Sequence, residues 1–327
     1  MQPPRFWYEA EGRDAAPILQ ALLQPLAWAY AGAGAWKQYS ARPTRVGAPV
    51  VCVGNLTVGG AGKTPVTRAL RQLINGRGVD AHTMSRGYGG RLKGPHRVDA
   101  ARDVSRDVGD EPLLHGADGP AWIARDRVAG AHAAIDAGAK LILLDDGFQN
   151  PALHKDFNLI VIDCAAGFGN RRVFPAGPLR EPMRAGLARA QGVVLMGEGD
   201  IDATFACPVF RAALHPAQSP PPGRLLAFAG IARPTKFFDT LKAYGADLVD
   251  AAAFPDHHPY SEDDFKQLTD YAQRMDARLI TTEKDYVRLS PQQRQIVLTL
   301  PVEARFENSA ALMDALDPVL QRATGKV

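Results

Sequence analysis

Two kinds of segment take turns along this chain. Short runs rich in apolar and β-branched residues occur at 50–53, 79–84, 121–124, 141–144, 159–163, 192–196, 225–229 and 278–282. A run that stays apolar at successive positions has both faces covered, as a parallel strand buried between helices does. Between these runs, 66–73, 126–137, 235–244 and 261–275 mix polar and apolar residues in helix-compatible stretches. Strand and helix in alternation predict an α/β fold, with a mostly parallel sheet carrying helices on both faces.

Two segments break the alternation. Ala217-Gln218-Ser219-Pro220-Pro221-Pro222-Gly223 is a linker by composition. It predicts a larger domain over 41–216, a linker over 217–223 and a smaller α/β domain over 224–327. At the other end, residues 15–36 contain no charged side chain, and Pro25 interrupts them. The length is close to the ~20 residues that cross a bilayer, but a proline kinks a helix or bends it along an interface. Arg5 and Arg13 precede the segment and Lys37, Arg42 and Arg45 follow it, with Trp7, Tyr8, Trp28, Tyr30 and Trp36 as interfacial aromatics. Residues 1–40 are therefore expected to form a membrane-associated helix. Whether it spans or lies on the bilayer stays open, and early acidic residues argue against a cleaved signal peptide.

The first candidate chemistry lies where the run 50–53 ends. Gly54-Asn55-Leu56-Thr57-Val58-Gly59-Gly60-Ala61-Gly62-Lys63-Thr64 leads directly into the helical stretch 66–73, giving the strand, loop and helix order of a phosphate-binding loop. Glycines let backbone N–H groups converge on phosphate oxygens, and the helix N-terminus adds partial positive charge. Lys63 is placed to reach the β- and γ-phosphates, and Thr64 to ligate Mg²⁺. The strict pattern would put glycine at 57, where Thr57 stands. The cofactor-binding set is Asn55, Thr57, Val58, Gly59, Gly60, Ala61, Gly62, Lys63 and Thr64. The fold class sharpens accordingly to a P-loop NTPase-like sheet.

Leu141-Ile142-Leu143-Leu144-Asp145-Asp146 supplies the complement, a buried strand delivering carboxylates at its carboxyl end, where nucleotides bind in open α/β sheets. Mg²⁺ needs hard oxygen ligands beside the phosphates, which Asp145 would provide. Other motifs are less specific. Gly109-Asp110-Glu111-Pro112 reads as a helix start or as a pair of site carboxylates. The loop 167–182, continuing through Arg184 and Arg189, mixes arginines with Phe, Leu and Met. It suits an anionic ligand with an apolar part, or a solvated basic surface. Asp256-His257-His258-Pro259-Tyr260 and Thr281-Thr282-Glu283-Lys284-Asp285 place charged and imidazole groups in the smaller domain.

Composition removes several classes. With 327 residues the chain can hold two domains, and a net charge of +3 gives no argument for a nucleic-acid partner. Cys52, Cys164 and Cys207 stand far apart without C-x-x-C spacing, so neither a disulfide framework nor a zinc site is expected.

Taken in order, the apolar N-terminal helix, Gly54 to Thr64, Ser85-Arg86-Gly87-Tyr88-Gly89, Gly109-Asp110-Glu111-Pro112, Asp145-Asp146-Gly147-Phe148-Gln149, Phe174-Pro175-Ala176-Gly177-Pro178-Leu179-Arg180-Glu181, Asp256-His257-His258 and Thr281 to Asp285 resemble the tetraacyldisaccharide 4′-kinase (lipid A 4′-kinase) family. The resemblance covers almost the whole chain, and the family's loop also looks like this one at position 57. It implies transfer of the γ-phosphate of ATP, with Mg²⁺, to the 4′-hydroxyl of an acylated glucosamine disaccharide 1-phosphate at the cytoplasmic face of a bacterial inner membrane. It implies catalytic roles for Lys63, Asp110, Asp146 and His257, with Asp110 as base and His257 orienting or tuning it. Thr64 and Asp145 would serve the metal, with Glu111 or Asp146 as a further ligand directly or through water. Arg86, Arg127, Gln149, Arg180 and Glu181 would meet the substrate. The lipid acceptor and the membrane surface are the partners expected, and no protein partner is implied. Two other readings compete: a membrane-associated NTPase switch, which would want a lysine where Val58 stands, and a phosphoesterase whose metal site would use Asp256, His257 and His258.

Overall fold

The computed structural model, which describes residues 4–9 and 15–325, gathers the strands into two sheets. In chain order they are β1 Val50–Gly54, β2 Ala81–Ser85, β3 His96–Arg97, β4 Ala121–Ile123, β5 Leu141–Asp145, β6 Phe157–Asp163, β7 Gly192–Met196, β8 Val209–Pro216, β9 Arg224–Ala229, β10 Asp247–Ala253, β11 Arg278–Thr281, β12 Val297–Thr299 and β13 Val302–Phe306. The larger sheet runs β13-β8-β7-β6-β1-β5-β2-β4-β3, and the smaller β10-β9-β11-β12. From β8 to β4 the larger sheet is parallel, with β13 and β3 antiparallel at its edges. The α/β class is the one the alternation predicts.

Period-two alternation distributes β1 between two apolar layers. Val51 and Val53 pack with Val66, Leu70 and Ile74 of the helix Lys63–Gly76. Val50 and Cys52 pack on the opposite face with Ala131 and Ala134 of the helix Arg127–Asp136, whose N-terminus is capped by Asp126. β1 lies between β5 and β6, so the chain winds away from it in both directions. The crevice outside its carboxyl end is where such sheets bind ligands. In register, Val53 lies beside Asp145, which sets the β5 carboxylate next to the loop that leaves β1.

The smaller sheet is likewise covered on both faces. Leu226 and Phe228 meet Phe265 and Leu268 of the helix Glu262–Arg274, while Leu225 and Ala227 meet Phe237, Phe238 and Leu241 of the helix Pro234–Ala243. The predicted helix 261–275 begins with a capping box in which Ser261 and Asp264 exchange hydrogen bonds.

The predicted smaller domain, 224–327, differs from this arrangement at its end. β13 pairs antiparallel with β8 in the larger sheet, and Leu312, Met313, Leu316, Val319 and Leu320 of the helix Ser309–Ala323 enter the core shared with β1 and the helix Lys63–Gly76. The chain thus leaves the larger unit through 217–223 and returns at Val302. Nothing in composition marks that return, since a five-residue edge strand carries no long apolar run. β8 and β10 are absent from the sequence reading for a related reason: Val209–Pro216 alternates in exposure and Asp247–Ala253 is rich in alanine.

The N-terminal helix spans Pro17–Ser40, passes through Pro25 without ending, and buries only Ala27. Leu22, Leu26, Trp28, Trp36 and Tyr39 are exposed. No helix among the described residues is long and apolar enough to cross a membrane. Tyr30 packs edge-on against Phe174 at 5.5 Å, Arg172 bonds Gln24, and Gln38 donates to the carbonyl of Gln149 at 3.3 Å. Arg13, expected to flank the helix, lies outside the described residues.

Leu316→Ala tests whether the last helix belongs to the core beneath β1. It should cost about 2–5 kcal/mol in urea unfolding and speed amide exchange in β1 and the helix Lys63–Gly76. Unaltered exchange there would contradict a shared core.

Candidate active site

The loop after β1 is shaped by glycines at the positions that need them. Gly59 and Gly62 have φ of 115° and 84°, a region side-chain-bearing residues rarely enter. Thr57 has no positive φ, so position 57 makes no demand for glycine. Its carbonyl instead accepts from Asn55 Nδ2 at 2.8 Å and from Arg180 Nε at 3.0 Å. The arginine-rich loop is stitched along this segment by Val58 N–H to Pro178 O at 2.7 Å and Arg180 N–H to Leu56 O at 2.8 Å. Ala61 is buried in the core, and a Cβ on Gly60 would lie 3.8 Å from Ala232 of the smaller unit. The tip of the loop therefore faces the second lobe.

Adjacent carboxylates at the end of β5 acquire different surroundings. Asp145 is buried; its Oδ2 receives the Thr64 hydroxyl at 2.9 Å and lies 2.7 Å from His115 Nε2, while its Oδ1 has no hydrogen-bond partner among the described residues. Asp146, with φ of 57°, turns the other way and meets Arg180 at 2.8 and 3.0 Å and Lys63 at 3.6 Å. Burial would raise the Asp146 carboxyl, but the charges of Lys63 and Arg180 prevail and hold it below the usual range. Lys63 also donates to Asn55 Oδ1 at 3.2 Å. Gln149 donates to Asn55 O at 3.0 Å and to Glu181 at 3.1 Å, and Glu181 pairs with Arg189. Asn55, Thr57, Lys63, Asp146, Gln149, Arg180 and Glu181 thus form one network.

Arg127 is buried, bonds the carbonyl of Ala124, and keeps a buried Nε without a partner among the described residues. Burial, followed by repulsion from Arg86, lowers its pKa. Arg86 is exposed nearby on the turn after β2.

The expected encounter of Asp110 with His257 is present. His257 Nδ1 lies 2.8 Å from Asp110 Oδ2, joining the helix Asp110–Asp118 of the larger unit to the turn after β10. Arg288 Nε donates to the same oxygen at 2.7 Å, while its Nη1 reaches Gly230 O and Asp285 Oδ1, each at 2.7 Å. Burial would raise the Asp110 carboxyl; the hydrogen bond from His257 and the Arg288 charge outweigh it and lower the pKa. Glu111 pairs with Lys284 at 3.4 Å rather than with the Asp145 group. His258 bonds Asp264 at 2.9 Å, so the Asp256-His257-His258 triplet is split between two partners. No group of three or more His, Cys, Asp or Glu positioned to hold a metal occurs among the described residues.

Arg288 and His115 escape sequence reasoning. Arg288 follows Asp285 by three residues, a local ion-pair spacing, but nothing near it in the chain points to Asp110. His115 sits mid-helix without a motif. Three further ion pairs join the lobes, Arg68 to Glu283 at 3.0 Å and Asp163 to Arg233 and to Lys236, each at 2.9 Å, while Arg68 also pairs with Asp118 of its own lobe at 2.6 Å.

A family profile described as "Tetraacyldisaccharide-1-P 4'-kinase" matches residues 19–321. The chain is 51% identical to a tetraacyldisaccharide 4'-kinase of Hyphomonas neptunium, covering 99% of each chain, and 51% identical to one of Rhodospirillum centenum, covering 98% of this chain and 97% of that one. Its structure is similar to a crystal structure of LpxK from Aquifex aeolicus in complex with ATP, with a TM-score of 0.77 and 25% identity, covering 92% of this chain and 99% of that one.

Arg288→Met should cost on the order of 3 kcal/mol at neutral pH, because it leaves the buried Asp110 carboxylate with only His257. A carboxylate whose folded pKa is depressed stabilises the fold above its unfolded pKa and loses that contribution as acid takes pH through the folded value. The gap between variant and parent in urea melts should therefore narrow as pH falls through the carboxylate range. A gap independent of pH would exclude Asp110 as the group Arg288 compensates.

Proposed function

Because the chain belongs to the tetraacyldisaccharide-1-P 4'-kinase family, we propose that its two lobes close over ATP to present Asp110 to the 4′-hydroxyl of the acylated disaccharide. The protein is a lipid kinase of lipid A biosynthesis, and ATP is its phosphoryl donor. The observation that carries the proposal is the 2.8 Å contact between Asp110 and His257, made between the lobes.

In the proposed reaction the acceptor oxygen attacks the γ-phosphorus, the bond to the β-phosphate oxygen breaks, ADP leaves, and the hydroxyl proton passes to Asp110. His257 and Arg288 both occupy Oδ2, and nothing among the described residues bonds Oδ1, so Oδ1 is the atom offered to the hydroxyl. Positioning and charge neutralisation supply most of the catalysis in phosphoryl transfer. Lys63 and the backbone N–H groups of Gly59 to Thr64 hold the β- and γ-phosphates. Arg180 and Asp146 fix Lys63, and Gln149 and Glu181 brace the loop. Arg86 and Arg127, close enough for their charges to interact, would supply cations for an anionic sugar phosphate.

The Thr64 hydroxyl and the unpartnered Asp145 Oδ1 suit Mg²⁺, a hard cation taking oxygen ligands. When bound there, Mg²⁺ would neutralise charge on the phosphate oxygens. His115 holds the second Asp145 oxygen and so orients the carboxylate.

The exposed apolar face of the helix Pro17–Ser40 supports binding at the cytoplasmic surface of the inner membrane, where the acyl chains of the acceptor are buried. Docking of that helix through Gln38 and Tyr30 onto the loops bearing Gln149 and Phe174 links the bilayer surface to the catalytic face. A nucleotide switch would turn over without acceptor; family membership favours transfer to lipid.

Asp110→Asn should lower kcat by roughly 10²–10⁴-fold while leaving the KM for ATP nearly unchanged, in a mixed-micelle transfer assay. A change confined to KM would make Asp110 a binding group. Leu22→Glu combined with Leu26→Glu, both at exposed positions, should abolish co-sedimentation with vesicles while preserving ATP binding; undiminished sedimentation would move the membrane contact elsewhere.

A further inference from the structure

The Thr281-Thr282-Glu283-Lys284-Asp285 motif is only partly accounted for by the reaction described above. Thr282 caps the short helix Glu283–Tyr286 by accepting from Asp285 N–H, which fans the next three side chains in different directions. Glu283 takes Arg68 of the larger unit, and Asp285 is buried against Gly230 N–H, Tyr260 and Arg288. Lys284 lies between Glu111 and His257, its Nζ 3.4 Å from Glu111 Oε1 and 3.4 Å from His257 Nε2.

The geometry points to Lys284 as a positioning residue that selects the tautomer of His257; this rests on the Asp110–His257 reading of the site. An ammonium has three donors and no lone pair. A hydrogen bond between Lys284 Nζ and His257 Nε2 therefore requires an unprotonated Nε2, which leaves the ring proton on Nδ1. Nδ1 is the atom 2.8 Å from Asp110 Oδ2, so that proton points at the carboxylate. In the opposite tautomer both contacts fail together: the Nδ1 lone pair would face an anion, and Nε2–H would face the Lys284 ammonium at 3.4 Å, with Asp256 Oδ1, at 3.9 Å, beyond hydrogen-bond reach. Lys284 thus directs an N–H toward Asp110 from the far side of the ring.

Three further contacts hold the imidazole for this. The His257 backbone sits at φ 60°, and its N–H donates to Gly230 O at 3.0 Å, the carbonyl that Arg288 also grips. Tyr88, on the turn after β2, packs edge-on against the ring at 5.8 Å. Glu111 anchors Lys284 from the larger unit, so the tautomer is specified only where the lobes meet.

Ring ¹⁵N chemical shifts of His257 in the full-length protein in detergent micelles, assigned by comparison with His257→Gln, provide the test. At pH 7.5 the parent should show the Nδ1–H tautomer alone; a predominant Nε2–H form overturns the proposal. Lys284→Met should populate the Nε2–H form and lower kcat by about 10–100-fold with the KM for ATP unchanged. Lys284→Gln keeps a donor without the charge and should retain the parent tautomer and most of kcat. If the glutamine variant instead matches the methionine variant, or if either loses kcat with the Nδ1–H signature intact, Lys284 acts through charge and the proposal fails. Should the methionine variant not fold, the tautomer of the glutamine variant decides. The ¹⁵N reading is independent of whether Asp110 is the base, which the kcat of Asp110→Asn decides.

Discussion

A buried carboxylate on one lobe, compensated among the described residues only from the other, is the constraint on which the closed arrangement depends. Asp110 belongs to the larger unit, yet Arg288, which neutralises it, and His257, which hydrogen-bonds it, both come from the smaller. Arg288 is itself buried and leans on Asp285 and the Gly230 carbonyl. A charge left unpaired in such a place costs several kcal/mol, whereas exposed pairs contribute about 0–1 kcal/mol each. The bridges from Asp163 end on half-exposed Arg233 and Lys236 and are weaker clasps by that measure. Closing the lobes and completing the charge balance of Asp110 are consequently one event. In the proposed mechanism this ties readiness of the base to enclosure of the nucleotide.

The phosphate loop is held in a comparable way, by a neighbour distant in sequence. Glycine loops gain conformational freedom at an entropic cost, and here Gly59 and Gly62 use it where φ is positive. The segment before them is instead fixed by the 178–180 strip, which bonds Leu56, Thr57 and Val58. The same Arg180 that donates to the Thr57 carbonyl also neutralises Asp146, so loop shape and site charge share one side chain.

Much of this was legible in the sequence because it was local or periodic. The strand, glycine loop and Lys63-Thr64 order located β1 and its helix, and the apolar run ending in Asp145 located β5. The pairing of Asp110 with His257 came from resemblance, since 147 residues separate them and neither has a local pattern that requires the other. Composition marks 217–223 as a linker but gives no sign of the return at Val302, because a short antiparallel edge strand needs no continuous apolar run. Arg288 and His115 were invisible for a related reason. Their partners are set by tertiary packing, and a lone Arg in a turn or a lone His on a helix carries no periodic signature.

The neighbouring carboxylates Asp145 and Asp146 show how one strand end can serve two kinds of chemistry. The positive φ at Asp146 sends its side chain away from that of Asp145. Asp146 meets Lys63 and Arg180 and is satisfied by cations that the protein supplies. Asp145 meets only a hydroxyl and an imidazole, and one of its oxygens stays buried without a partner among the described residues. Burying a carboxylate oxygen unsatisfied is costly, so such an atom marks a place where something else completes the shell. A cation is the fitting complement at Asp145, beside the Thr64 hydroxyl, whereas at Asp146 it would have to compete with Lys63 and Arg180. The division follows from one backbone angle: Asp146 is satisfied by Lys63 and Arg180, and in the proposed reaction Asp145 keeps an oxygen open for Mg²⁺.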